Sequence, residues 1–212
     1  MSQTRGPSSA GEPADDGPWL DADEAAPRLL LFAMPGLPEL AASLESGAVA
    51  AVVVDPRALS PADMRAATDT CRRRQVACLM RGDASAAKAS GLDGVHLDDA
   101  GSIAAARAVL GSGALIGASC RLSRHAAMVA GEAGADYVMF GALTDLPGVA
   151  GELADIVAWW NELFVLPCAA AGRFDAARAA AFVQAGADLL AMQMAAGVGE
   201  LARTLQVADA TT

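Results

Sequence analysis

The chain has little of what basic, disulfide-bonded or membrane proteins depend on. Lys88 is its only lysine, and its arginines form no continuous stripe; Arg72, Arg73 and Arg74 cluster where a helix is expected to end, where cations complement the helix dipole. With a formal net charge of −10, this distribution argues against a nucleic-acid partner. The four cysteines, at 71, 78, 120 and 168, contain no C-x-x-C pair, and no signal-peptide pattern precedes them, so reduced thiols and a cytoplasmic location are expected. Neither His96 nor His125 pairs with a cysteine at zinc-ligand spacing. No apolar run reaches the roughly 18 residues needed to span a bilayer, so no membrane partner is expected. Aromatic residues make up only 4% of the chain.

What the chain does have is small and aliphatic apolar residues. Its hydrophobic content is 54% over 212 residues, enough for one domain with a large core and inconsistent with general disorder. The richness in Ala, Val and Leu suits helices packed closely on a buried sheet. Residues 1–27 differ: they are rich in Gly, Pro, Ser and acids, and six acids against one arginine give this stretch a net charge of −5. A disordered acidic tail is expected there, with the folded domain over 28–206 and a short extension at 207–212.

From Arg28 onward, aliphatic runs alternate with longer Ala-rich helical segments. Eight strands are predicted, at 29–34, 49–55, 76–80, 94–97, 114–119, 137–141, 166–172 and 189–193. The spacing leaves room for one strand, one crossover helix and two short loops each time. An internal repeat supports the pattern: GLDGVHL, GADYVMF and GADLLAM each place Gly, any residue and Asp before an apolar strand. The Gly is positioned to end a helix in a left-handed conformation, and Asp93, Asp136 and Asp188 then fall at the amino ends of strands, where a structural role is expected. Eight such units close most simply as a single compact α/β domain, a (β/α)8 TIM barrel. An open doubly wound sheet is the alternative.

In a barrel the chemistry is read from the carboxyl ends of the strands. There the sequence offers Arg57 after the second strand, Arg81 and Asp83 after the third, and His96, Asp98 and Asp99 at the fourth. Ser119 and Arg121 follow on the fifth strand, Gly141 on the sixth, Gly172 and Arg173 on the seventh and Gln193 on the eighth. Asp83, Asp98 and Asp99 follow adjacent strands and suit a magnesium ion; the competing reading is that Asp98 and Asp99 cap a helix. Gly172 and Arg173 suit a phosphate at a helix amino end, or else Gly172 only relieves crowding in the turn. The alternation of GVHL points His96 into the barrel, where it is either a hydrogen-bonded core residue or a participant in the site. His125 lies in a helical stretch and reads as surface or packing. Trp159 and Trp160 read as cover for the barrel wall, with an exposed indole leaving room for a homo-oligomer.

The runs GLDGVHLDD, LIGAS, GEAGADYVMFG, LPCAAAG and QAGADLLAM, in that order and spacing, resemble the thiamine phosphate synthase and thiazole tautomerase family over about residues 28 to 196. The resemblance implies a barrel enzyme of thiamine biosynthesis, a transferase that joins an aminopyrimidine diphosphate to a thiazole phosphate. It also implies that diphosphate leaves with magnesium assistance and that the protein positions its phosphorylated small-molecule substrates and neutralises their charge. Carried over to this chain, it makes Ser119 and Arg121 the catalytic candidates. Arg57, Arg81, His96, Gly141, Gly172, Arg173 and Gln193 become the substrate-binding set, and Asp83, Asp98 and Asp99 the metal set.

The chain departs from the family pattern at several of these places. The family's QLR-x-K run reads VVVDPR here, and its Asn-Asp-Arg turn reads Arg81, Gly82, Asp83. The second metal aspartate aligns with Gly101, and the loop after the sixth strand carries no lysine. A homologue that binds a thiamine-related phosphorylated ligand without turnover is the alternative. A tautomerase ranks last, because Arg121 stands where its histidine is expected.

Overall fold

The computed structural model describes residues 28–37, 39–144, 148, 150–195 and 197–209. The expected tail 1–27 lies outside the described residues, as do 210–212 of the expected extension. Eight parallel strands close into a barrel in chain order: β1 (Arg28–Phe32), β2 (Val49–Val54), β3 (Ala77–Arg81), β4 (Gly94–Leu97), β5 (Leu115–Arg121), β6 (Tyr137–Gly141), β7 (Cys168–Ala171) and β8 (Leu189–Gln193). β8 pairs with β1 from Arg28↔Leu189 to Phe32↔Gln193, which removes both sheet edges. The helices that follow the strands are α1 (Leu40–Glu45), α2 (Pro61–Arg74), α3 (Ala84–Ala89), α4 (Ile103–Leu110), α5 (Arg124–Glu132), α6 (Ala150–Leu163), α7 (Ala176–Gln184) and α8 (Val198–Asp209). All eight predicted strands are present, and the open-sheet alternative is excluded.

Strand side chains alternate between two apolar layers. On β1, Leu29 and Leu31 pack outward against the helices, while Leu30 and Phe32 fill the interior with Val53, Leu79, Met139 and Leu189. Burying one such side chain contributes about 1.5–3 kcal/mol, so the continuous aliphatic runs of β1 and β2 are the thermodynamic signature of strands covered on both faces. Several helices begin with a side chain that accepts a backbone N–H. Ser60 accepts from Asp63 with Pro61 in the first turn of α2, and Ser123 and Asp175 do the same for α5 and α7.

The Gly-x-Asp repeat has one structural job, performed three times. Gly91, Gly134 and Gly186 have φ of 62°, 85° and 94°, the left-handed conformation that ends a helix. Two residues later the carboxylate reaches sideways to the preceding strand. Asp93 accepts from the Cys78 N–H at 2.7 Å, Asp136 from Ile116 at 2.6 Å and Asp188 from Cys168 at 2.8 Å. These clamps lie at the amino ends of the strands, opposite the expected site. Lys88 is also structural, its Nζ donating to the Val109 carbonyl at 2.6 Å. Among the described residues no helix is long and apolar enough to cross a membrane.

Candidate functional site

The carboxyl ends of β2, β3 and β4 carry an ionic quartet. Asp55 Oδ1 accepts from the Arg57 backbone N–H at 2.9 Å and from its Nε at 3.0 Å, and Oδ2 accepts from Nη2 at 3.1 Å. Asp98 joins the two arginines: its Oδ1 accepts from Arg81 Nε at 2.9 Å and Nη2 at 2.8 Å, and its Oδ2 from Arg57 Nη2 at 3.4 Å. Arg81 Nη1 closes the ring with Asp55 at 3.6 Å. Burial alone would raise the pKa of both carboxylates and disfavour their ionised form. Hydrogen bonds and charge from Arg57 and Arg81 outweigh it and hold Asp55 and Asp98 below the usual 3.8. Both aspartates are therefore anionic at neutral pH, and two preoriented guanidinium forks stand at the mouth.

The magnesium expectation meets a different arrangement. Asp83 caps α3, accepting from the Ala86 N–H at 2.8 Å, and Asp99 caps the 3-10 turn Ala100–Ser102, accepting from the Ser102 N–H at 3.1 Å. Asp98 is not a helix cap, as the competing reading had it, because its oxygens are taken by arginines. Among the described residues no three His, Cys, Asp or Glu side chains converge as metal ligands. The set Asp83, Asp98 and Asp99 does not fit a magnesium site, because each carboxylate serves a nearer donor.

His96 does point inward, and is 1% exposed. Its Nδ1 is 2.8 Å from the Tyr137 hydroxyl and its Nε2 is 2.9 Å from Ser119 Oγ. Burial, reinforced by the positive charge of Arg81 and opposed by Asp98, pushes the imidazole down to about 3, so it is neutral near pH 7. Burial, and then the charge of Asp136, pushes the Tyr137 phenol up, so that it stays protonated. Phe32 meets the His96 ring edge-on with centroids 5.1 Å apart. The hydroxyl of Ser119 lies between this buried pair and the open end of the barrel.

Arg121 ends β5 in an exposed position with φ of 53°, just past an irregularity in the β5–β6 register. A left-handed arginine costs on the order of 1 kcal/mol. Gly141 has φ of 85°, and a Cβ there would lie 2.7 Å from the Ala171 carbonyl oxygen; the position is glycine for backbone reasons. Gly172, Arg173 and Gln193 come together at a cavity of about 510 Å³ between the ends of β7 and β8 and the starts of α7 and α8. The amino end of α7 already holds the Asp175 carboxylate, which accepts from the Arg178 N–H at 2.8 Å, and Glu200 also lines this cavity.

The structure thus brings the expected residues together as two groups, one at β2 to β5 and one at β7 and β8. Sequence reasoning missed Tyr137, Gly117 and the pairing role of Asp55. Tyr137 read as an ordinary strand residue, and the only available signal was that it is the single tyrosine in the chain, placed at the start of a strand.

The chain has clear relatives among known proteins. Residues 36–196 match the model of a family described as thiamine monophosphate synthase. The chain belongs to that family. It is 38% identical over 164 residues to the thiamine-phosphate synthase of Rhodospirillum centenum, covering 73% of this chain and 79% of that protein. With the thiamine-phosphate synthase of Erythrobacter litoralis it shares 41% identity over 136 residues, 61% of this chain and 64% of that one. Among solved structures, the thiamine phosphate pyrophosphorylase from Pyrococcus furiosus superposes with a TM-score of 0.69 at 20% identity, covering 90% of this chain and 98% of that one, a likeness in fold. The family match spans β2 through β8, and so both groups at the mouth.

Proposed function

We propose that the chain is a transferase of thiamine biosynthesis that joins an aminopyrimidine diphosphate to a thiazole phosphate with release of diphosphate. The observation that carries this reading is the family match over residues 36–196, which contains every residue of both groups. In the reaction the carbon–oxygen bond to diphosphate breaks and the thiazole nitrogen supplies the electron pair for the new carbon–nitrogen bond. Chain residues neutralise and position the charge that develops on the leaving group.

Arg57 and Arg81 offer guanidinium donors fixed by Asp55 and Asp98, and Ser119 and Arg121 lie on β5, separated from β3 by β4. Gly141, Gly172, Arg173 and Gln193 serve the phosphorylated thiazole from the β6 to β8 side. His96 acts through Ser119 and stays neutral. No step is assigned to magnesium, because the carboxylates named for it are engaged elsewhere. The reading places the protein in the cytoplasm, and a homo-oligomer is compatible with the exposed Leu163 and Val165 at the end of α6.

The test is to incubate purified protein with both phosphorylated halves and measure thiamine phosphate by conversion to fluorescent thiochrome. Product formation that depends on Arg81 supports the activity, and none above a blank, with or without magnesium, refutes it. One observation favours a second reading, ligand binding without turnover: Asp83, Asp98 and Asp99 do not converge. Calorimetric binding of thiamine phosphate by a protein that forms no product would select that reading.

A further inference from the structure

The two carboxylates of the ionic quartet are not held equally. Asp55 is tied at three points to one residue: it accepts from the Arg57 backbone N–H at 2.9 Å, from its Nε at 3.0 Å and from its Nη2 at 3.1 Å, and its side chain is 15% exposed. Asp98 bridges two guanidinium groups instead. Its Oδ1 takes the Nε and Nη2 edge of Arg81, at 2.9 and 2.8 Å, its Oδ2 reaches Arg57 Nη2 at 3.4 Å, and its side chain is 43% exposed. Arg81 has further support: its guanidinium carbon lies 6.0 Å over the Phe32 ring, and Nη1 is 3.6 Å from Asp55 Oδ2.

The Nε and Nη2 edge of an arginine is one that receives an oxyanion as a fork. In Arg57 that edge is filled by the partly buried Asp55, and in Arg81 by the exposed Asp98. Releasing Asp55 would strip a backbone N–H and a carboxylate of their partners, whereas Asp98 can turn into water at lower cost. The backbone around Asp98 need not move, because β4 ends at Leu97 and Asp99 caps the next turn by accepting from the Ser102 N–H at 3.1 Å. Arg81, backed by Phe32 and Asp55, keeps its place when Asp98 leaves.

A tethered carboxylate competes at the effective concentration of an intramolecular group, on the order of millimolar or above. A monovalent anion offers no more charge than Asp98 and gains little by replacing it, while a phosphoryl group with two or more charges gains more. Arg81 also stands at the asparagine place of the family's Asn-Asp-Arg turn, so the Arg81–Asp98 pair is a feature of this chain rather than of that pattern.

We propose that Asp98 is a displaceable internal anion, which fills the Arg81 fork until a multiply charged phosphoryl group replaces it and so determines which anions this part of the mouth accepts. Asp55 is a positioning residue that keeps Arg57 aimed throughout. Only the identity of the phosphorylated ligand rests on the function proposed above.

The experiment is calorimetry on the full-length protein with inorganic diphosphate, in chelator and at low ionic strength. Affinity should rise about tenfold in Asp98→Asn and fall about tenfold in Asp55→Asn. The opposite signs separate displacement from bulk charge, because each substitution removes one negative charge from the same rim. Asp99→Asn, which keeps a capping side chain, removes a charge one residue away and should change affinity by less than about threefold. At equal ionic strength, replacing chloride by acetate should weaken diphosphate binding to Asp98→Asn and leave wild type unchanged. In wild type labelled with nitrogen-15 at arginine, diphosphate should move the Nε–H resonance of Arg81 by more than that of Arg57, the two being assigned through Arg81→Lys and Arg57→Lys.

An affinity in Asp98→Asn equal to or below that of wild type overturns the proposal, as does a rise matched by Asp55→Asn or Asp99→Asn, which would show that net charge alone counts. A wild-type Arg81 resonance indifferent to saturating diphosphate overturns it even if Asp98→Asn fails to fold, and so does the absence of diphosphate binding from both proteins. A protein that shows the expected affinities yet forms no thiamine phosphate keeps this inference and refutes the activity. Thiamine phosphate formation with no gain in diphosphate affinity in Asp98→Asn does the reverse.

Discussion

Tyr137 lies flat against the bare backbone of Gly117: a Cβ built on the glycine would be 2.0 Å from Cζ and 2.2 Å from Cε1 of the ring. The two residues are paired across β5 and β6, so the largest polar side chain in the barrel occupies the volume its neighbour leaves empty. The hydroxyl reaches His96 because of this contact.

Gly117→Ala should therefore be costly although alanine suits a strand. Relief requires moving a ring that is packed on every side, and overpacking of this kind costs about 1–3 kcal/mol. Urea unfolding should show that loss, and the His96 nitrogen shifts should change with it. A loss below about 0.5 kcal/mol would mean that the ring has room to move.

Asp136 carries more than the other two strand clamps. It accepts from the Ile116 N–H and pairs with Arg107 Nη2 at 2.7 Å, while Arg107 also donates to the carbonyls of Ala114 and Gly134. Asp136→Ala leaves a backbone donor and a guanidinium without their acceptor and should cost about 1.5–3 kcal/mol, the range for hydrogen bonds to charged groups. Asp93→Ala removes a clamp without an arginine and should cost less. Equal losses in urea would show that Arg107 adds nothing.

His96 gives stability a pH dependence whose sign is fixed. Its folded value is pushed from 6.5 down to about 3, so between these values the unfolded chain binds the extra proton. Stability should therefore fall as pH drops from 6.5 toward 3. Urea midpoints of His96→Gln should be lower at neutral pH but flatter across that window. Asp55 and Asp98, held below 3.8, add a further loss at the acidic end, as protonation dissolves the quartet.

Magnesium should do little for the free protein. With Asp83 and Asp99 capping and Asp98 held by arginines, millimolar magnesium should move the melting temperature by less than about 1 °C, since a cation stabilises only in proportion to its binding to the native state. A larger rise that Asp98→Asn abolishes would restore the metal reading.

Much of the architecture was legible because its signals are local. The alternation of aliphatic runs with Ala-rich segments follows from strands buried on both faces, and the Gly-x-Asp repeats announce helix ends and strand starts from three consecutive residues. Even the inward direction of His96 follows from strand alternation. The partners of these residues were not legible. His96 and Tyr137 are 41 residues apart, as are Arg57 and Asp98, and nothing local to either member announces the other.

Asp83, Asp98 and Asp99 show where the division falls. Their order along adjacent strand ends is a property of the sequence, and it places three carboxylates on the mouth of the barrel. Whether they turn toward a common cation, a helix amide or a neighbouring guanidinium depends on which donor each side chain reaches first. The sequence alone determined an eight-stranded barrel, the places of its strands to within about two residues and the rim that carries the site, because hydrophobic periodicity and helix stops act over a few residues. Only the tertiary structure decided that arginines hold Asp98 and that Tyr137 stands behind Ser119, because those choices depend on distances across the closed barrel.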